Sequence, residues 1–95
     1  MTRVLLGDAI IAESDDTIVV EGNHYFPPDS IRDGALQESP TRTQCHWKGT
    51  ATYQHAVVGG EVTRDAAWSY PTPLPKAQHI AGYVAFDPSK VRVEG

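Results

Sequence analysis

Gly49-Thr50-Ala51-Thr52-Tyr53-Gln54-His55-Ala56-Val57-Val58, followed by Gly59-Gly60 and Glu61-Val62-Thr63, decides the fold class. The first ten residues have a period of two. Ala51, Tyr53, His55 and Val57 point one way, and Thr50, Thr52, Gln54 and Ala56 point the other, as alternate side chains of a strand do. We expect the first set to be the buried one. If the strand reaches further back, Trp47 joins that set and Lys48 the second. Gly59-Gly60 has the left-handed freedom that a two-residue hairpin turn needs, and Glu61 starts the return strand.

The same grammar extends outward. Most of the 8 Gly and 7 Pro punctuate short runs of Val, Ile, Thr and Tyr, the spacing of an all-β domain rather than of βαβ units. Val4-Leu5-Leu6 and Ile10-Ile11-Ala12 flank a Gly7-Asp8 turn. Thr17 to Glu21 follows a turn at Asp15-Asp16, so these three strands read as a meander. Asn23 to Pro28 reads as a loop, because Pro27 and Pro28 cannot donate to a ladder. Asp29 is placed to cap one helical turn ending at Arg32. Leu36 to Glu38 suits a short edge strand. Pro71-Thr72-Pro73-Leu74-Pro75 is rigid and extended; Lys76 to Ile80 suits a short helix. Tyr83 to Phe86 and Val91 to Val93 supply closing strands. The expectation is a mainly β, antiparallel two-sheet domain over residues 1–95, with one or two single-turn helices.

Composition excludes several function classes. Ninety-five residues suffice for one modest core, burying roughly 60–65% of the unfolded surface. A net charge of −4, with the eight basic residues scattered and none adjacent, argues against binding a phosphate backbone. One cysteine makes no internal disulfide. No apolar run is long enough for a signal peptide or a membrane helix, so a cytosolic protein is expected. Composition is silent on oligomeric state.

Chemistry-bearing side chains gather at three strand ends: Glu21-Gly22-Asn23-His24-Tyr25, Cys45-His46-Trp47-Lys48, and Trp68-Ser69-Tyr70. Glu21 is either a structural carboxylate bonded to loop amides or a partner for Lys48. His24 is either an acid–base group or an exposed loop histidine. Cys45 is a nucleophile if His46 or Lys48 lowers its pKa, and otherwise a small half-buried apolar residue. Cys45, His24, His46, His55 and His79 invite a metal, but structural zinc wants paired ligands on one turn. Adjacent Cys45 and His46 project to opposite faces of a strand. No metal and no cofactor are therefore expected. The aromatics Tyr25, Trp47, Tyr53, Trp68, Tyr70 and Tyr83 suit either a core or the walls of a pocket.

Val20 to Pro28, Gln44 to Tyr53, Ala66 to Pro71 and the closing Gly82-Tyr83-Val84-Ala85-Phe86 together resemble one family over almost the whole chain. It is known as domain of unknown function 427 and is also labelled nucleotidyltransferase-like. The family has no agreed reaction. The resemblance implies a fold like that of the small β-tent domains, several of which bind zinc through two cysteine pairs. This chain lacks both pairs, so zinc is not carried over. It also lacks a glycine-rich phosphate loop, and Asp15-Asp16 suit a turn. The nucleotidyltransferase label thus has no support in these residues, since that chemistry relies on metal-binding carboxylates.

The expected function is binding of a small molecule, with or without catalysis, in a pocket lined by Glu21, Asn23, His24, Tyr25, Trp47, Lys48, Trp68 and Tyr70. Lys48 is its anion-binding or proton-transfer group and Glu21 the partner that orients it; His24 and Cys45 are further catalytic candidates. The rival is a structural or protein-interaction module without catalytic activity. A functional Lys48 sits beside Glu21 in a concavity; in a scaffold it projects into solvent.

Overall fold

The computed structural model describes residues 1–95 and is mainly β. Strands β1 (Thr2–Leu6) and β2 (Ala9–Ser14) form the expected hairpin about Gly7. The other neighbour of β1 is β9 (Arg92–Glu94), giving the order β2-β1-β9. β3 (Ile18–Val20) therefore does not extend a meander. The outer side of β2 is met instead by Ile31, which bridges Ala12, and by Arg32, whose N–H donates to the Ile11 carbonyl (2.8 Å).

β3 pairs with β4 (Asn23–Tyr25), so residues read as a loop are a strand. The signal was the turn: Glu21 and Gly22 have φ of 53° and 81°, as a two-residue hairpin connection with right-handed twist requires. Beyond it, Pro28–Ser30 make one 3₁₀ turn, with Ser30 Oγ donating to the Pro27 carbonyl. That turn starts earlier than expected and Asp29 does not cap it, because Ile31 is already extended to reach Ala12.

The largest sheet has the order β5-β6-β7-β8, with β5 Leu36–Cys45, β6 Gly49–Val58, β7 Glu61–Ser69 and β8 Val84–Phe86. β5 is an edge strand, as expected of Leu36 to Glu38, but runs ten residues. β6 begins at Gly49, so Trp47 and Lys48 lie in the preceding turn. A second 3₁₀ segment, Pro75–Ile80, is kinked at Ala77.

Both faces of this sheet are covered, which corrects the expectation that only the Ala51 set is buried. Tyr53, Trp68 and Ala85 are cross-strand neighbours on one face, within an aromatic-rich cluster containing Tyr25, Tyr70 and Ile80. On the other face, Gln54, Ala67 and Phe86 lie opposite one another. There Ala56, Ala67 and Phe86 pack with Val4, Ile11 and Ala12 of the three-stranded sheet. The many alanines let the two sheets approach closely. His55 and Val57 remain only half-buried.

The sheet carries a crease that the sequence reading missed. Ser39-Pro40-Thr41 on β5 and Arg64-Asp65-Ala66 on β7 each place three residues opposite one of β6, Tyr53 and His55 respectively. Such bulges bend strands and suit a proline on an edge. The Asp65 carboxylate ties them together, accepting from Ser39 Oγ (2.6 Å) and Thr41 Oγ1 (2.8 Å), while its N–H donates to His55 Nδ1 (2.9 Å). Asp65 adopts φ of 50°, which aspartate tolerates better than most residues. Ser39 is almost fully buried. Ser39→Ala should therefore cost about 1.5–3 kcal/mol, the worth of a hydrogen bond to a charged group, read as a lower denaturant midpoint at unchanged slope.

Candidate functional site

Lys48 sits at the end of the turn that joins β5 to β6, held there by the backbone: the Leu74 N–H donates to its carbonyl (2.9 Å). Gly49 follows at φ of 110°, and a Cβ there would meet the Leu74 amide nitrogen at 3.4 Å. That is ordinary contact distance, so it is the positive φ rather than the space that calls for glycine here. The Lys48 side chain points inward and is only 9% exposed. Its ammonium bonds the Glu21 carboxylate and lies 5.3 Å from the Trp47 ring centroid and 5.4 Å from that of Tyr70. Both distances are within the range of cation–π attraction, which strengthens on desolvation.

Glu21 comes from the β3–β4 turn, remote in sequence. A glutamate at φ of 53° occupies a position normally taken by Asn, Asp or Gly. That strained backbone holds a carboxylate at the one place where it meets Lys48. Around the pair, Trp68 Nε1–H donates to Tyr25 Oη (3.2 Å), and the two rings stand edge to face at 6.4 Å. Tyr25 and Tyr70 are buried, while Trp47, Tyr53, Trp68, Tyr83 and Cys45 pack half-buried around them.

The electrostatics follow from this geometry. Burial disfavours the Lys48 charge, but the Glu21 carboxylate, together with Tyr25 and Tyr70, outweighs it and holds the lysine pKa above its ordinary value. Lys48 holds the Glu21 carboxyl below the usual range, helped by the Trp47 indole N–H and by His46. Burial raises the Tyr70 phenol, against the pull of Lys48. The hydroxyls of Ser39 and Thr41 depress Asp65, and Ser89 depresses Asp87. Carboxyls depressed on folding contribute stability in full above their ordinary values near 4, and lose it as pH falls through the folded values. Lys48 works in the opposite sense: its contribution is complete below its ordinary value and is lost as pH rises through the raised one. The melting temperature should thus fall below about pH 5, and Asp65→Asn should make that acid limb shallower. An acid limb of unchanged slope in Asp65→Asn would show that Asp65 is not one of its causes.

The structure thus brings together Glu21, Tyr25, Trp47, Lys48, Trp68 and Tyr70. It does not bring Asn23 and His24 with them. Alternation along β4 accounts for His24: Tyr25 faces Trp68, whereas His24 Nδ1 bonds Thr17 Oγ1 (2.8 Å). Asn23 and His24 line a separate small hollow with Phe86 and Pro88. Cys45 ends β5 and packs in the aromatic cluster. No three His, Cys, Asp or Glu side chains lie close enough to share a metal ion, because His46, His55 and His79 belong to different parts of the fold. No helix is long and apolar enough to cross a membrane.

One feature beside the site was not legible in the sequence. His46 and Trp47 on one side, and Leu74, Pro75 and Lys76 on the other, form an open, mainly apolar groove of about 450 Å³. Pro71 to Pro75 reads only as an extended connector; what ties it to the turn is the hydrogen bond from the Leu74 N–H to the Lys48 carbonyl.

The chain belongs to the family described as domain of unknown function 427, whose profile matches residues 1–95. No curated protein matches it.

Proposed function

We propose that this member of the family binds a small molecule bearing a negatively charged or strongly accepting group, at the site built on Lys48. The observation that carries this reading is a buried ammonium with one oxygen partner, Glu21, its remaining surroundings being the Trp47 and Tyr70 rings. An ammonium has three N–H donors and Glu21 is its one oxygen partner, so an acceptor brought in past the Trp47 ring would satisfy a further donor. Paired with Glu21, Lys48 is a fixed cation at neutral pH. Its role is electrostatic and positional, which sets aside proton transfer and amine nucleophilicity. Glu21 orients it, the half-buried Trp47 and Trp68 supply the accessible ring faces, and Tyr25 and Tyr70, buried in the core, hold them in place. A reducing, cytosolic setting belongs to this reading, supported by the single free thiol of Cys45.

A second reading has its own observation. The Lys48–Glu21 pair joins the β3–β4 turn to the β5–β6 turn, as a staple in a structural or interaction module would. A thermal-shift screen against carboxylic acids, nucleotides and sugars separates the two. A ligand at 100 times its Kd adds about 2.7 kcal/mol, a shift of roughly 10–20 °C for a domain of this size. A saturable shift that vanishes in Lys48→Met supports the binding site. A flat screen, with Lys48→Met clearly less stable than the parent, supports the staple.

A further inference from the structure

The groove beside Lys48 has a chemistry of its own. Its walls are an indole, a leucine and a proline, and Leu74 is 44% exposed although large and apolar. Its ends carry His46 and Lys76, both exposed. Lys48 lies against the Trp47 ring without lining the groove, and its charge is balanced there by Glu21. The whole chain has a net charge of −4, so a slot lined by a lysine and a histidine and by no carboxylate runs against the general balance. The nearest carboxylate, Glu21, is already engaged by Lys48.

The groove is also pre-shaped. Leu74 is hydrogen-bonded on both sides, its N–H to the Lys48 carbonyl and its carbonyl from the Ala77 N–H (both 2.9 Å). Gln78 Nε2 donates to the Pro73 carbonyl (2.8 Å), and Pro73 itself is buried. Little ordering is therefore needed on binding, which favours affinity in a small site.

We infer that the ligand is a small planar organic acid, its flat face laid between Trp47 and the Leu74–Pro75 edge and its anionic group carried by Lys76 and His46. An extended apolar slot between an indole and a proline suits a flat ring. The Lys76 ammonium, with the His46 ring beside it as a hydrogen-bond donor, selects an acid over a neutral or basic ring of the same shape. The inference rests on the reading above only in taking the surroundings of Trp47 as the binding site.

The test uses naphthalene-2-carboxylate, its neutral carboxamide, and cyclohexanecarboxylate, titrated into the ¹⁵N-labelled chain while amide and indole N–H resonances are followed. The carboxylate should saturate, moving the signals of His46, Trp47, Leu74 and Lys76. The carboxamide and the saturated acid should each bind at least tenfold more weakly. Lys76→Glu, a change at an exposed position, should weaken the carboxylate at least tenfold while leaving the melting temperature within a few degrees. Equal binding of acid and amide, shifts mapping to a different surface, or indifference to Lys76→Glu would each overturn the inference. The two readings fail separately. A ligand from the wider screen that is lost in Lys48→Met but unaffected by Lys76→Glu retains the Lys48 site and removes the planar acid. Carboxylate binding lost in Lys76→Glu but intact in Lys48→Met retains the groove and removes Lys48 from it.

Discussion

Phe26→Ala should lower the melting temperature by roughly 15–30 °C, the largest stability loss expected from one substitution in this chain. Phe26 is fully buried, and its ring stands edge-on to Phe86 with centroids 5.7 Å apart. Truncating a buried phenylalanine costs about 3–5 kcal/mol, through lost transfer energy and the cavity left behind. A domain of this length has only about 5–15 kcal/mol in total, and each kcal/mol is worth about 4–8 °C. The position matters beyond its volume. Phe26 exchanges two backbone hydrogen bonds with Val84 (2.7 and 2.9 Å), so it joins the β3–β4 ribbon to the edge of the large sheet. It also packs with Val4 and Ile11 of the three-stranded sheet, so one residue touches all three sheets. Far-UV circular dichroism on heating measures the effect. Val19→Ala, at a side of the ribbon that is 56% exposed, should shift the midpoint by no more than about 0.5 kcal/mol. A loss of only a few degrees in Phe26→Ala would mean that Phe86 and its neighbours collapse into the space.

That three-way junction shows what could and could not be read from the sequence. Local signals worked where a turn has its own chemistry. Gly59-Gly60 marked the β6–β7 hairpin, and Gly7-Asp8 marked the β1–β2 hairpin. Period two correctly separated Ala51 and Tyr53 from Thr52 and Gln54. It failed to say which side is buried, because a strand covered on both faces alternates between two cores. Non-local pairings were hidden. Nothing in Val91 to Val93 says that the chain end returns to β1, and Pro27-Pro28 masked the strand just before them. The crease was hidden more deeply: Asp65 holds φ of 50° through hydroxyls some 25 residues away, and no local pattern records that. At the candidate site, the meeting of Glu21 with Lys48 was legible because both close strands and carry opposite charge. The exclusion of His24 was not, since it depended on Asn23 to Tyr25 being a strand with alternating sides.

Lys48→Met should remove about 10- to 100-fold in affinity for any ligand found at this site, while leaving the fold nearly as stable as before. The two halves of that expectation come from different physics. A hydrogen bond to a charged group is worth about 1.5–3 kcal/mol, which at 1.4 kcal/mol per decade gives the range in affinity. Stability is another matter, because the two ends of the ion pair are unequally buried. The Lys48 side chain is 9% exposed and that of Glu21 is 56% exposed. Methionine fills the volume of the lysine stem and packs well against Trp47 and Tyr70, while Glu21 turns to water rather than being left buried and alone. Removing one member of a buried pair is costly because it leaves the other charge buried and uncompensated, and the 56% exposure of Glu21 avoids that cost here. Glu21→Met is the contrasting variant, since it strands the Lys48 ammonium between two rings and leaves methionine at a positive φ; it should destabilise more than Lys48→Met. The pair of melting curves and the two titrations together decide the role of the site. If Lys48→Met keeps both the melting temperature and every affinity, the ammonium serves neither ligand nor fold, and the binding reading falls. If it keeps the melting temperature and loses the ligand, a buried cation has been retained for its chemistry, at a position where an apolar residue would serve the fold as well.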